Sequence, residues 1–466
     1  STLKLLTEFS QNGGKLYFVG EMPNLVEGRN DGRLKTLNAE KASLNALKRE
    51  YGFAGISSDG KENGNIHYTK RIMDNGDRIY YLVNLSDKEQ TVAVNTNDKV
   101  YLYDVITEKA AETDGKLTFA PYGSYMLISS ETMKPEKADN RVQKYISING
   151  EFKVSESTVN ALTLDFCRYR TDGGEWQPET AVIILQRKLL ELKKPCKIEL
   201  EFSFNAESGA ITDNICLCAE TPEKYEFLIN GKPFEFKDSG YYVDKSIRKS
   251  NISKYLKAGK NSITLKGEFY QNEDVYRVLF TKGIHETEIN KLTYDTELES
   301  IYIRGNFRVF DDNLKVENDM IMLSDGDYYV TAAGKTVNAA NITEDGYLFF
   351  MGNMKLEKKV VIDKNNSHIK LTGRFTAADV YVDGKFVKTA LFGNEVDLSE
   401  FADGKEHLLA LTLYSSNRNI YGPHHFKEYE PLSVSPWTFD LTGAWKDNYE
   451  SDFYRENYSF VKFSIV

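Results

Sequence analysis

The sequence predicts a mainly β, multi-domain protein with a short α/β piece at its N-terminus. From Ile66 onwards, short segments alternate between apolar and polar residues, which is the period of a β-strand. A strand, an Asn-Gly or Asp-Gly dipeptide and a second strand occur twice, in KYEFLINGKPF and in ADVYVDGKFV. These dipeptides between alternating segments are the strongest local signal for a β-hairpin.

The length of 466 residues exceeds what one hydrophobic core usually supports, so several domains are expected. The patterns divide the chain into a C-terminal fragment of an α/β domain (1–60), a small antiparallel β-sandwich (61–132) and two larger sandwiches (133–306 and 307–466). The high content of Tyr (29) and Phe (26) agrees with this β-rich division, because aromatic residues favour strands.

The N-terminal piece is predicted to alternate helix, strand and helix. Thr2–Gln11 has the spacing of an amphipathic helix, which Asn12-Gly13-Gly14 would end. A short buried strand is expected at Lys15–Gly20, and a second helix at Leu34–Tyr51. This order indicates the end of a doubly wound domain whose first strands precede residue 1.

The next segment contains the strands of the small sandwich. They are expected in IHYTKRI, DRIYYLVNLS, QTVAVNT, KVYLYDVIT, KLTFA and SYMLIS. Five or six short strands within about seventy residues are typical of a small antiparallel sandwich. Residues 131–143 are polar and contain a proline, which indicates a linker.

The two larger sandwiches are predicted to be copies of one fold. Each hairpin is followed by a short helical turn, a Gly-Lys turn and a closing strand, in NISKYLKAGKNSITL and in VDLSEFADGKEHLLALTL. If the copies are equivalent, Ile229 and Val382 should be buried in corresponding strands. Gly231 and Gly384 should then have positive φ, as type I′ turns require.

The repeated unit resembles galactose-binding-like jelly rolls. With DFCRYRTDGGEW (165–176), ESIYIRGNFRV (299–309) and NRNIYGPHH (417–425), most of the chain resembles the C-terminal region of bacterial family-106 α-L-rhamnosidases and their uncharacterised relatives. The resemblance implies a multi-domain glycoside hydrolase of carbohydrate metabolism. This chain would be its non-catalytic part, which supports the barrel and contacts glycan. The implied partners are the missing N-terminal catalytic domain and an oligo- or polysaccharide. The alternatives are a stand-alone array of carbohydrate-binding modules and a structural or oligomerisation scaffold.

The bulk properties and motifs limit the other function classes. A net charge of −10 argues against nucleic-acid binding, and no apolar run is long enough to suggest a membrane span. No segment sets two acids at the ends of barrel strands, as hydrolysis of a glycosidic bond needs, so the fragment itself is expected to be inactive. The four cysteines fit neither a zinc site nor an evident disulfide, which favours a cytoplasmic protein without excluding a secreted parent.

The segment around His424 and His425 is the most distinctive local cluster. With Arg418 and Trp437 nearby, it suggests a sugar or metal contact. The favoured interpretation is a structural latch, in which Pro423 fixes the turn and the imidazoles bond to groups of the same protein. Docking against a catalytic domain is a third interpretation.

Two further aromatic groups are candidates for carbohydrate binding. Trp176 lies close in sequence to Arg168, and Tyr241 is followed by Tyr242. Aromatic rings can pack against the C–H face of a sugar, although most aromatic side chains belong to cores or interfaces. No cofactor and no metal ligand is predicted. The loop after Asp363 lacks the glycine that an EF-hand requires, so it is not predicted to be an EF-hand calcium site. A structural calcium ion bound by other oxygen atoms stays an open alternative.

Overall fold

The protein is described here by a computed structural model that covers residues 2–44, 46–47, 55–105, 108–135, 144–318, 320–391, 395–422, 424–425 and 457–466. It is mainly β and multi-domain, with jelly-roll sandwiches, a small antiparallel sandwich and a short α/β segment. The chain forms two compact units, residues 1–142 and residues 143–466.

The first unit begins with one helix and contains thirteen strands among its described residues. The helix α1 is Thr2–Gln11. The strands are β1 Tyr17–Phe18, β2 Leu25–Val26, β3 Arg29–Asn30, β4 Glu40–Lys41, β5 Gly55–Ser58, β6 Lys61–Glu62, β7 Ile66–Ile72, β8 Arg78–Asn84, β9 Gln90–Asn95, β10 Tyr101–Asp104, β11 Lys109–Glu112, β12 Lys116–Phe119 and β13 Ser124–Ser129.

The predicted second helix at Leu34–Tyr51 is wrong for its first half. A 3₁₀ turn covers Gly32–Thr36, and the Asp31 side chain caps it by accepting a hydrogen bond from the Arg33 N–H. The chain then becomes extended at Leu37, and β4 pairs in parallel with β1. Pairing with β1 therefore outweighs the local helical spacing, while residues 45 and 48–51 lie outside the described part.

The small sandwich has two antiparallel sheets with the orders β11-β10-β13-β8-β7 and β12-β9-β5-β6. Its core lies between them and contains the fully buried Tyr80, Leu82, Phe119 and Leu127. The strands predicted in IHYTKRI and SYMLIS are present with those bounds. Strand β5 also belongs to this sandwich, although it precedes the predicted boundary at residue 61.

The second unit contains the remaining strands and four short helices of the described residues. The strands are β14 Glu151–Ser157, β15 Asn160–Leu164, β16 Phe166–Thr171, β17 Gln177–Ala181, β18 Cys196–Ala206, β19 Cys216–Glu220, β20 Glu226–Ile229, β21 Lys232–Phe234, β22 Tyr241–Tyr242, β23 Asp244–Asn251, β24 Gly259–Phe269, β25 Ile301–Gly305, β26 Phe307–Phe310, β27 Lys315–Val316, β28 Ile321–Ser324, β29 Tyr329–Ala332, β30 Thr336–Asn338, β31 Asn353–Ile362, β32 His368–Lys370, β33 Gly373–Arg374, β34 Ala377–Val382, β35 Lys385–Ala390, β36 Glu395–Asp397, β37 Lys405–Tyr414, β38 Tyr458–Val461 and β39 Ser464–Ile465. The helices are α2 Val182–Leu192, α3 Glu273–Phe280, α4 Glu286–Ile289 and α5 Arg418–Tyr421.

The two jelly rolls have the same strand order in their larger sheets. The first follows the path β17-β16-β18-β24-β20-β21, and the second follows β30-β14-β31-β37-β34-β35. Each repeated hairpin therefore lies next to the closing strand of its own copy, with Ile229 opposite Ile263 and Val382 opposite Leu409. The predicted duplication is confirmed at this level.

The hairpin turns confirm the prediction in detail. Asn230 and Gly231 both have positive φ, 52° and 75°, and Asp383 and Gly384 have 50° and 81°. Two consecutive residues with positive φ define the type I′ turn, which matches the twist of the flanking strands. The preceding Ile229 and Val382 are fully buried, so each turn also fixes which face of its strand points into the core.

Strand pairing crosses residue 306 in both directions. Strand β14 precedes this residue but pairs with β30 and β31 in the second jelly roll. Strand β29 follows it but pairs in parallel with β18 in the first jelly roll. The core of the first jelly roll accordingly includes Phe307 and Val330, while the core of the second includes Phe152. The domain boundary at residue 306 stays a prediction. In the structure, each sandwich includes a strand from the other side of this residue.

Candidate functional site

A short segment around α5 connects the end of β37 to the histidine pair. Gly422 follows α5 with φ 83°, and a Cβ at this position would lie 2.6 Å from the backbone nitrogen of His424. Only glycine fits both the conformation and this close approach. Pro423, which was predicted to set the turn, lies outside the described residues.

His424 is buried and bonded within the protein. Its Nε2 lies 3.0 Å from the carbonyl oxygen of Asn419, and its own carbonyl accepts hydrogen bonds from the Ser459 N–H (2.8 Å) and hydroxyl (3.0 Å). Burial lowers the pKa of His424 to about 4. The imidazole is therefore neutral near pH 7, and Nε2–H donates to the carbonyl.

His425 belongs to a buried polar cluster that we call the Asp165 cluster, made of Asp165, His425 and Tyr458. Nε2 of His425 lies 3.1 Å from one carboxylate oxygen of Asp165, and the Tyr458 hydroxyl donates to the other. Burial acts to raise the pKa of Asp165, but the hydrogen bond and charge of His425 outweigh it and hold that pKa below its ordinary value. The cluster links β38 to the loop between β15 and β16, next to Leu164.

Arg418 and Asn419 strengthen the same connection. The guanidinium of Arg418 donates to the carbonyl oxygen (3.3 Å) and hydroxyl (3.1 Å) of Ser459. The side chain of Asn419 donates to the Val461 carbonyl and accepts from the Val461 N–H, at 2.8 and 2.9 Å. Helix α5 and the histidine pair therefore hold β38 in place, as the latch interpretation predicts.

A cavity of 520 Å³ lies beside the Asp165 cluster. Its lining combines apolar, aromatic and hydrogen-bonding groups: Thr163, Asp165, Ala181, Val182, Ile183, Gln186, Leu298, Glu299, Ser300, Tyr302, Ile420, Tyr421, Gly422, His424 and His425. The three motifs DFCRYR, ESIYIRG and NRNIYGPHH all contribute, through Asp165, through Glu299 and Tyr302, and through Tyr421 and His425. We call this space the motif cavity.

Glu299 is the most unusual acid of the motif cavity. The residue is exposed to solvent, although protein packs around its carboxyl group, and Glu220 and Glu297 lie nearby. This partial burial, followed by the two like charges, raises the pKa of Glu299 to about 7. No hydrogen bond or ion pair of Glu299 is seen among the described residues.

Three tyrosines form a row that ends at the motif cavity. The rings of Tyr242 and Tyr302 meet edge to face at 6.2 Å, and those of Tyr302 and Tyr421 at 6.1 Å. Tyr242 is buried and its hydroxyl has no hydrogen-bond partner among the described residues, whereas Tyr241 is 50% exposed. Neither Tyr241 nor Tyr242 lines the cavity. Tyr242 packs against Tyr302, which does line it.

Trp176 and Arg168 are not among the residues that line the motif cavity. The guanidinium of Arg168 lies 5.4 Å from the centre of the Trp176 ring, and that of Arg170 lies 4.9 Å from it. The same arginines pair across the sheet with Glu201 (3.6 Å) and Glu199 (2.8 Å). The contacts of Trp176 are thus cation–π contacts with the outer face of the larger sheet.

The remaining candidates give no further site. Trp437 lies outside the described residues. The four cysteines are free, and burial raises the pKa of Cys218 to about 12. In the described part of the chain, no group of three or more His, Cys, Asp or Glu side chains is placed to hold a metal ion, and no helix is long and apolar enough to cross a membrane.

Sequence reasoning missed Asp165, Glu299, Tyr302 and Tyr458 as members of a site. A signal was present, because three of these four residues belong to motifs on which the family resemblance depends. What the sequence does not contain is their proximity, since Asp165 and His425 are 260 positions apart.

Comparisons with known proteins place the chain near glycoside hydrolases only weakly. No family model and no curated protein matches it. Among solved structures, it is similar to a rhamnosidase from Novosphingobium sp. PP1Y, with 14% identity over 65% of this chain and 32% of that chain and a TM-score of 0.22. A β-D-mannosidase from Dictyoglomus thermophilum has 10% identity over 55% and 31% of the two chains, with a TM-score of 0.21. A β-galacturonidase from Eisenbergiella tayi has 11% identity over 57% and 39%, with a TM-score of 0.22.

The chain spans about a third of the length of these structures. Scores this low do not establish a shared activity.

Proposed function

We propose that this chain is the non-catalytic C-terminal portion of a bacterial glycoside hydrolase. Its jelly rolls support a catalytic barrel in the same polypeptide, and the motif cavity contacts glycan. The sequence resemblance suggests an α-L-rhamnosidase as the parent enzyme. A cytoplasmic location and a structural calcium ion remain secondary proposals from the sequence.

The observation that supports this proposal is the convergence of the three motif segments on one cavity. These segments are the part of the chain that resembles the glycosidase C-terminal region beyond the repeated hairpins. They lie far apart in sequence, yet each supplies lining residues to the same space. A concave site with apolar walls and a few hydrogen-bonding groups is the usual form of a small-ligand site.

The acids of the motif cavity also suggest a rival function. Asp165 has a lowered pKa and Glu299 a raised one, and two acids with opposite shifts are a common arrangement for acid–base catalysis. We favour a non-catalytic role because both oxygens of Asp165 already accept hydrogen bonds from the protein, from Tyr458 and from His425. A carboxylate held in this way stabilises β38 and is a poor nucleophile.

A hydrolysis assay with a matched variant tests the two functions. The purified chain and the variant Glu299→Gln are incubated with a panel of nitrophenyl glycosides that includes the α-L-rhamnoside. We expect no turnover above the uncatalysed rate from either protein, because the hydrogen bonds of Asp165 to Tyr458 and His425 keep it from acting as the partner of Glu299. Turnover that survives repurification of the chain and is lost in Glu299→Gln would establish an active site in the cavity and contradict the proposal.

Two further measurements separate the alternatives that the sequence leaves open. A stand-alone array of carbohydrate-binding modules predicts strong binding on a glycan array without any other domain. A structural scaffold predicts oligomers in light scattering and no glycan binding. The proposed supporting role predicts instead that the separately produced catalytic domain binds this chain and gains thermal stability from it.

A further inference from the structure

The motif cavity has a size and a lining that limit the class of ligand it can accept. Its 520 Å³ falls within the range of about 300–1,000 Å³ that is usual for small-molecule sites. Its lining includes the apolar side chains of Val182, Ile183, Leu298 and Ile420. It also includes hydrogen-bonding groups, so a ligand that carries both apolar and polar groups is favoured.

The charge of the lining disfavours anions. Asp165 and Glu299 are acidic, Glu220 and Glu297 lie near Glu299, and no Lys or Arg is among the described residues that line the cavity. A phosphate, a nucleotide or a uronic acid would meet carboxylates with no cation to pair with. Such a ligand would lose its hydration without compensation.

The same acids do not present a strong unpaired negative charge to the cavity. Asp165 already accepts hydrogen bonds from Tyr458 and from His425, and the pKa of Glu299 is raised from its ordinary value by its surroundings. Both therefore keep hydrogen-bonding capacity while attracting a cation only weakly. Groups of this kind suit the hydroxyls of a neutral ligand, which both donate and accept.

Tyr421 supplies an aromatic surface at the edge of the cavity. It is 41% exposed, and its ring is held edge to face by the buried Tyr302. Burial, and then the charge of Glu299, raises the pKa of Tyr302. Its hydroxyl therefore stays protonated and can donate a hydrogen bond. An exposed ring next to fixed polar groups is the arrangement that packs against the C–H face of a sugar.

We propose that the motif cavity binds a neutral saccharide of one or two rings. Glu299, Tyr302 and Asp165 bond to its hydroxyls, and Tyr421 packs against its apolar face. This inference rests on the proposed glycan contact and makes it specific: it assigns the site, the residues and the preference for neutral over charged sugars. It also separates the site from Trp176, whose ring lies against Arg168 and Arg170.

The test measures binding to the whole chain by saturation-transfer NMR and titration calorimetry. The probes are D-galactose, D-glucose, L-rhamnose and lactose as neutral sugars, D-galacturonate as an anion and D-glucosamine as a cation. We expect millimolar or tighter binding of at least one neutral sugar and weaker binding of both charged probes. Glu299→Gln and Tyr302→Phe, which preserve shape, should each weaken binding about threefold to tenfold, the range expected for one hydrogen bond.

Two more variants make the result specific to the cavity. Tyr421→Ala should weaken binding about tenfold or more, because it removes the stacking surface. Tyr122→Phe, at a tyrosine that is 67% exposed in the small sandwich, is the control and should bind as the unaltered chain does. Circular dichroism and the melting temperature show whether each variant is folded.

Several results would overturn the inference. Among them are no binding of any neutral probe, tighter binding of galacturonate or glucosamine than of every neutral sugar, and neutral-sugar binding that the cavity variants leave unchanged. Binding that is lost in Trp176→Ala but kept in Tyr421→Ala would move the site to the outer sheet. That result would refute this inference while leaving glycan contact by the chain intact. The hydrolysis and domain-binding assays test the proposed function separately.

Discussion

Replacing Tyr458 by Phe tests whether the Asp165 cluster holds β38 in place. The substitution removes only the hydroxyl that donates to the buried carboxylate of Asp165, and it leaves the ring in the core. Tyr145→Phe is a matched control, since its hydroxyl donates to Glu395 at 2.8 Å but the residue is 40% exposed. The two variants differ in burial and not in the chemistry that is removed.

The expected magnitudes follow from this difference. A hydrogen bond to a charged, buried group contributes about 1.5–3 kcal/mol, because its loss leaves the carboxylate with an unmet need for a donor. The exposed bond of Tyr145 is replaced by water and should contribute less than about 1 kcal/mol. With an unfolding entropy of about 2.1 cal/mol/K per residue, the compact unit of residues 143–466 should melt about 2–5 °C lower in Tyr458→Phe.

Differential scanning calorimetry and urea unfolding of the whole chain measure both effects at neutral pH. The pKa of Asp165 is lowered in the folded state, so the stability that its ionisation provides is present above the unfolded value of about 4 and is lost as the pH falls. The difference between the chain and Tyr458→Phe should therefore shrink in acid. Equal effects of Tyr458→Phe and Tyr145→Phe at neutral pH would show that the cluster does not stabilise the fold.

Two other predictions concern the second jelly roll. Gly384→Ala should lower the free energy of unfolding by about 1 kcal/mol in urea, because φ is 81° at this position. Gly64→Ala is the control, with no positive φ and open space at its Cβ, and an equal loss there would contradict the turn argument. His407 donates to Asp383 and Asp403 at 2.7 and 3.0 Å, and these bonds raise its pKa. The stability they give is fully present below the unfolded value of about 6.5 and fades as the pH rises through the raised value. The melting temperature of His407→Asn should therefore lie furthest below that of the unaltered chain in mild acid and approach it in alkali. A difference between the two melting temperatures that is constant with pH would refute the charged pairing.

The features that sequence predicted correctly are those that local chemistry determines. Asn230-Gly231 and Asp383-Gly384 form type I′ turns because few other dipeptides tolerate two positive φ values in succession. Strand β18 buries alternate residues as its pattern predicts, since the period of a strand is two. The wrong helix at Leu34 shows the limit, because the parallel bridge between β1 and β4 depends on a partner that the local pattern does not contain.

The candidate site was predictable only in part for the same reason. The histidine pair was identified by its spacing, and the latch interpretation agrees with the bonds of His424 to Asn419 and of His425 to Asp165. The motif cavity was not predicted, because it forms only when strands β15 and β25 pair and bring Thr163 opposite Tyr302. Proximity created by pairing between distant strands is a property of the fold and not of any segment.

The exchange of strands across residue 306 has a consequence for how the protein can be divided. Two sandwiches connected by a single linker can be separated by one cut and can turn about that linker. Here a cut at residue 306 would leave the first sandwich without β29 and the second without β14, and each would expose the unpaired edge of a strand. Proteolysis in this region should therefore destroy both sandwiches together. During synthesis, the first sandwich cannot complete its sheet until the segment of β29 has left the ribosome. The two sandwiches therefore form one folding unit.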